Sequence, residues 1–204
     1  ELGKIEFEEG NLKKAKEYLN TLCSVKPNRR TGSPGNKAAT DFFASRIKEW
    51  GFDVDTIPFP CLDYESGELS LTCRDQSYEI FVSQFSPGCD VTAVLVPVST
   101  ADELERSDCR NKILLMYGDL CSEQLMPKNF VFYNPDHHKR IYALLEEKQP
   151  ATIITATEKN PELVGALYPF PLFEDGDFDI PSAYCTDAVG KEILANSGKE
   201  FRLV

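Results

Sequence analysis

An α+β fold is predicted, with a mixed β-sheet and flanking helices preceded by a helical arm that ends in a strand. Three observations carry this reading. Apolar residues recur at helical spacing in two blocks of the first 50 residues. From Cys61 the pattern changes to short apolar runs separated by turn residues. Two further helical stripes, one after Asn134 and one after Asp187, are interleaved among those runs. The expected division is 1–60 for the arm and 61–204 for the sheet domain.

The elements follow in order. Asn11 to Cys23 places Leu12, Ala15, Leu19 and Leu22 on one helical face, with Asn11 as N-cap. After a polar stretch, Ser33 caps a second helix with Pro34 at its first position. Ala39, Phe43, Ile47 and Trp50 form its apolar side, and Gly51 stops it. Phe52 to Phe59 begins by alternating apolar with polar residues and reads as a strand.

In the second part, strands are predicted over Glu68–Cys73, Tyr78–Val82, Val91–Val98, Lys112–Tyr117 and Ala151–Thr155. The run Ile113-Leu-Leu-Met116 marks a central strand, since burying each side chain contributes on the order of 1.5 to 3 kcal/mol. A helix is expected from Asn134 to near Pro150, with Pro135 at its first position and Ile141, Leu144 and Leu145 facing inward. A last helix covers Asp187–Asn196, and Phe201–Val204 begins another strand.

Composition narrows the function. The 204 residues are 42% hydrophobic and 27% charged, as in a soluble globular protein of one or two domains. A net charge of -11 and a pI near 4.7 disfavour nucleic acid and anionic membrane surfaces as partners. The longest apolar run, Val91–Val98, is of strand length and far below the roughly 18 residues that span a bilayer. The seven cysteines lie 12 or more residues apart with no C-x-x-C pair, and read as mostly reduced and buried. A zinc or redox site is the rival reading, and a Cys61–Cys73 disulfide stays open. Cytoplasmic residence is the expectation from this cysteine usage.

Tyr18-Leu19-x-x-Leu22, then Arg30-Thr-Gly32-Ser33-Pro-Gly35-Asn36 leading into Ala38 and Ala39, then Trp50-Gly51-Phe52, occur in one succession. This succession resembles the N-terminal segment of the two-zinc aminopeptidase family, which also includes glutamate carboxypeptidase-like enzymes and the non-catalytic transferrin receptor ectodomain. The blocks that follow are Lys112-Ile-Leu-Leu-Met-Tyr-Gly118, Lys139-Arg-Ile-Tyr-Ala-Leu-Leu145, Pro150-Ala-Thr-Ile-Ile154, Asp179-Ile-Pro181-Ser182 and Asp187-Ala-Val-Gly190-Lys-Glu-Ile-Leu194. They look like the protease-associated (PA) domain often inserted after that segment. The resemblance implies a parent enzyme that removes N-terminal residues from peptides with two zinc ions. It implies too that the PA domain borders the active site and shapes access, the chain being a non-catalytic N-terminal portion. The alternative is a stand-alone, non-catalytic peptide-binding PA module.

The chain alone is expected to be inactive and to hold no cofactor. A co-catalytic zinc pair needs about five nitrogen and oxygen ligands from well-separated loops. Only two histidines are present, His137 and His138, adjacent in the first turn of a helix. Neighbours there point about 100° apart, so they are not expected to grip one metal together. No H-E-x-x-H, G-x-S-x-G, or H-x-D followed by a Glu-Glu pair occurs. Glu146-Glu147 reads as a solvated helix face. Arg29 and Arg30 could bind a substrate carboxylate, although a loop before a capped helix more often uses arginine for packing. Glu174, Asp175, Asp177 and Asp179 around Gly176 read as a solvated loop rather than a calcium site. The expected partner is a peptide, through the parent enzyme. The apolar faces of residues 11–60 suggest a homodimer of the isolated chain.

Overall fold

The computed structural model describes residues 9–26, 28–61, 64–83, 85–128, 130–157 and 179–204. It forms two compact units, Glu1–Asp63 and Tyr64–Val204. Each is described by itself.

The first unit holds α1 (Glu9–Cys23) and α2 (Pro34–Glu49). Helix α1 begins before Asn11, which therefore lies inside it and is not its cap. For α2 the expected cap is present, with Ser33 Oγ accepting from the Asn36 N–H at 3.0 Å and Pro34 in the first turn. Gly51 takes a φ of 87°, the left-handed conformation in which glycine ends helices. Gly35 serves close approach: a Cβ there would lie 1.8 Å from the Asn28 carbonyl oxygen. Tyr18 joins the two helices, its ring 5.8 Å from Phe42 and 6.4 Å from Trp50. The apolar stripes are covered only in part, since Leu12, Leu19, Phe43 and Trp50 remain exposed.

The strand predicted over 52–59 does not form. Residues 52–61 have no regular secondary structure, and Phe52, Ile57 and Phe59 are exposed. Pro58 and Pro60 lack the N–H that a ladder requires, and among the described residues no strand of this unit offers a partner.

Among the described residues, the second unit is a mixed sheet with three helices. Its strands are β1 (Leu71–Cys73), β2 (Gln76–Tyr78), β3 (Phe81–Val82), β4 (Val91–Val98), β5 (Ile113–Met116), β6 (Thr152–Thr157), β7 (Ser182–Thr186) and β8 (Glu200–Leu203). The helices are α3 (Ala101–Arg106), α4 (Asp136–Lys148) and α5 (Asp187–Leu194). The strand order is β2-β1-β8-β4-β5-β6-β7-β3. Strands β4 to β7 run parallel, and the outer pairings are antiparallel.

Most predicted strands are found, but Tyr78–Val82 is not a single strand. Tyr78 closes β2 at one end of the strand order, while Phe81 opens β3 at the other. Only Glu79 and Ile80 lie between, a reach of about 10 Å. The sheet must therefore curl until its two ends approach each other.

Strand β5 is central, as expected, and wholly buried. Leu114 and Met116 join Val98, Leu104, Ile141, Leu145 and Ile153 on one face. Ile113 and Leu115 join Leu71, Leu95, Ile154, Ile193 and Phe201 on the other. The period-two alternation of strand side chains thus feeds two separate cores. Helix α4 starts one residue beyond the expected position, with Pro135 as its extended N-cap. Its last helical bond runs from the Gln149 N–H to the Leu145 carbonyl, and the left-handed backbone of Gln149 (φ 50°) then turns the chain out of the helix. Helix α5 ends at Leu194, two residues short of the expected Asn196.

Candidate functional site

Among the described residues, three ionisable side chains gather at the start of α4. A 3-10 turn over Gly118–Cys121 buries Leu120 and Cys121 and so fixes the direction of the segment that carries Glu123. The extended Pro135 then brings His137 and His138 opposite that segment. His137 Nε2 lies 2.8 Å and His138 Nε2 3.2 Å from the same carboxylate oxygen, Glu123 Oε1.

The expectation that the adjacent imidazoles diverge is therefore corrected. Their rings meet edge to face at 4.4 Å. His138 turns inward and is 2% exposed, whereas His137 stays in solvent and swings back onto Glu123. The freedom of the side-chain torsions overcomes the angular offset of the helix positions. Glu123 is 14 and 15 residues from the two histidines. Nothing in the local sequence pairs it with them.

The electrostatics follow from the contacts. Hydrogen bonds from His137 first and His138 second hold the Glu123 carboxyl below the usual carboxylate range. The Met126 N–H donates to His138 Nδ1 at 3.0 Å. A neutral imidazole that accepts at Nδ1 carries its proton on Nε2, so His138 Nε2–H donates to Glu123.

Among the described residues, Glu123, His137 and His138 form the one group of three or more His, Cys, Asp or Glu donors close enough for a metal ion, all within 4.8 Å of one another. Zinc, which the sequence resemblance implies for the parent enzyme and not for this chain, does not suit these donors as they are arranged. A zinc-bound histidine presents one nitrogen lone pair to the metal and donates from the other nitrogen. His138 has these roles reversed, because the Met126 amide occupies its Nδ1 lone pair. What remains, His137 and Glu123, is two exposed donors, short of the three protein ligands of a catalytic zinc site.

The other sequence candidates stand apart from this group. Arg29 is exposed, and Arg30 is partly buried. The Arg30 N–H and Nε donate to Asn28 Oδ1 at 3.1 and 3.4 Å, and its carbonyl accepts from the Ser33 N–H and hydroxyl. These bonds tie the loop to the cap of α2. Glu146 forms an exposed ion pair with Lys128, and the Glu147 carbonyl accepts from Arg110. Of the acidic loop, Glu174, Asp175 and Asp177 lie outside the described residues, and Asp179 is exposed. No disulfide joins any of the seven cysteines; Cys73, Cys109, Cys121 and Cys185 are buried, and Cys23 and Cys61 are exposed. No helix among the described residues is long and apolar enough to cross a membrane.

No family model matches this chain, and no curated protein matches it in sequence. Among solved structures, the fold is shared with part of proteins described as peptidases. An aminopeptidase from Aneurinibacillus sp. strain AM-1 is 20% identical, with a TM-score of 0.53, over 93% of this chain and 43% of that one. A peptidase M28 precursor from Shewanella amazonensis SB2B is 17% identical, with a TM-score of 0.59, over 92% of this chain and 45% of that one. The chain thus spans less than half the length of these neighbours, and at this identity the likeness is one of fold.

Proposed function

We propose that this chain is the non-catalytic N-terminal portion of a zinc-dependent aminopeptidase, and that its sheet unit is a PA domain bordering the active site and limiting substrate access. The observation that supports this best is the pairing of coverages. Nearly the whole chain, 92–93%, superposes on less than half, 43–45%, of two peptidases. The successive motifs from Tyr18 to Leu194 point the same way. In this reading the two zinc ions and the general base belong to the rest of the enzyme. An access-limiting domain changes the binding of long substrates more than the chemistry of bond cleavage, so perturbing it alters KM and chain-length preference more than kcat.

The test has two arms. The 204-residue chain, supplied with zinc, is expected not to turn over an aminoacyl chromogenic substrate. A gene reading frame that continues into His-x-Asp and Glu-Glu motifs then supports the peptidase, and one without them supports a stand-alone binding module. Turnover by the chain itself refutes the proposal. The exposed Leu12, Leu19, Phe43 and Trp50 further support self-association of the isolated chain. A monomeric sedimentation profile at high concentration refutes that part.

A further inference from the structure

Residues 123–138 leave the body of the sheet unit and return to it where they left, since Glu123 at one end meets His137 and His138 at the other. Both stems are rooted in the core, through Leu120, Cys121 and Leu125 on the outgoing side and Ile141 and Tyr142 on the returning side. A compact loop whose ends meet in this way is an Ω-loop, a form frequently used for function. Its tip carries Phe130, Val131, Phe132 and Tyr133, all exposed, with the rings of Phe130 and Phe132 edge to face at 5.8 Å.

Two kinds of bond hold it. Asn134 Nδ2 donates to the Pro127 and Lys128 carbonyls at 3.3 and 2.8 Å, which shapes the tip from within. Across the neck run the two bonds of His138, from the Met126 N–H to Nδ1 at 3.0 Å and from Nε2–H to Glu123 at 3.2 Å. The solvent-exposed pairs His137–Glu123 and Lys128–Glu146 supplement them.

The bond from Met126 depends on the charge of the ring. A neutral imidazole accepts at one nitrogen, whereas an imidazolium donates from both. A proton on Nδ1 would face the Met126 N–H donor to donor, at a side chain that is only 2% exposed. Nε2 meets no such conflict, because Glu123 accepts from it in either state, and a carboxyl held below the usual range stays ionised as the solution is acidified. The neighbouring charges are committed elsewhere: Arg140 to Asp102 and Glu105 of α3, Lys139 to Asp136, and Lys128 to Glu146. Asp119 is exposed, and Cys121 and Tyr142 belong to the core.

We propose that His138 is a proton-operated latch on this loop. A proton taken from solvent at Nδ1 breaks the bond from Met126, while Nε2–H stays on Glu123. The latched form has no lone pair to offer at Nδ1, so acid binds the unlatched form alone and shifts the population toward it. The loop and its aromatic tip are thus fastened while His138 is neutral and released when it is protonated. This inference does not depend on the peptidase reading.

The test is an NMR pH titration of the whole chain. Amide exchange at Met126, corrected for its intrinsic rate, is expected to lose protection by about three- to tenfold as the His138 ring signals titrate, since one hydrogen bond of ordinary net strength is lost. The amides of Val131 and Tyr133 should shift with the same midpoint, while Leu114 in β5 keeps its protection. His138→Asn sets an amide oxygen near the Nδ1 position that takes up no proton, and should remove the transition. His137→Ala keeps both partners of the bond and should retain it. The proposal is overturned if Met126 protection is unchanged through the His138 titration, or if Leu114 loses protection at the same pH, which makes the event global unfolding. A transition that persists in His138→Asn or disappears in His137→Ala overturns it too, and the titration of the unaltered chain decides even where a variant does not fold.

Discussion

Substituting Gly190 by alanine tests how closely α5 is seated on the sheet. In an isolated helix the change is favourable by about 1 kcal/mol, since glycine is the poorer helix former. Here an added Cβ would lie 2.4 Å from the Cβ of Ala156 on β6. Carbon atoms pack best at roughly 3.5–4.0 Å, so α5 or β6 must shift by more than about 1 Å. Ala156 and Ile193 are buried in the same core, and β6 is held on both edges by β5 and β7. Overpacking of this kind costs about 1–3 kcal/mol, and the large overlap places it toward the upper end. The expected net loss for Gly190→Ala is therefore about 1–2 kcal/mol.

The second unit alone must be read out, because the chain has two compact units. Amide exchange at Ile153 and Ile154 in β6 does this. Ala156→Gly should cost about 0.5–1 kcal/mol by itself. Combined with Gly190→Ala it should relieve the clash and show a favourable coupling of about 1–3 kcal/mol. If Gly190→Ala is neutral or stabilising, or the two changes are simply additive, the close seating is refuted.

Three further outcomes are expected. Because its folded-state carboxyl titrates below the usual range, Glu123 contributes stability above that range and loses it as pH falls through the lowered value; a carbon-13 titration of Glu123 should show the depression, and it should vanish in a His137→Ala/His138→Ala variant. After incubation with zinc and gel filtration, the chain should retain less than about a tenth of an equivalent by elemental analysis, and one or two equivalents would refute the tautomer argument for His138. Burial pushes the Cys185 thiol up to about 12, so iodoacetamide should label exposed Cys23 and Cys61 well before it; the corresponding stability is intact below the ordinary thiol value of about 9 and is lost as pH rises from there toward 12.

Much of the local structure was legible because its causes are local. The cap at Ser33, the stop at Gly51 and the apolar run of β5 each rest on a few adjacent residues. Helix α3 is marked in the sequence by the capping box Thr100-x-x-Glu103. Thr100 Oγ1 accepts the Glu103 N–H, and the Glu103 carboxylate accepts from the Ser99 N–H and hydroxyl. Strand β7 is five residues long, too short for its alternation to stand out beside the adjoining helix signal.

By itself the sequence determined the class of fold, the helical arm and the strand-rich second part, since hydrophobic periodicity and capping chemistry act over one or two turns of chain. None of H-E-x-x-H, G-x-S-x-G, or H-x-D followed by a Glu-Glu pair can be read in these 204 residues. The tertiary structure decided what depends on distant partners. Residues 52–59 alternate at first like a strand yet stay unpaired, because a strand exists only beside another strand. Tyr78–Val82 divides between the two ends of a curled sheet. Glu123 gathers both histidines, and the Met126 amide fixes the proton of one, through contacts 12 to 15 residues apart that no local pattern encodes.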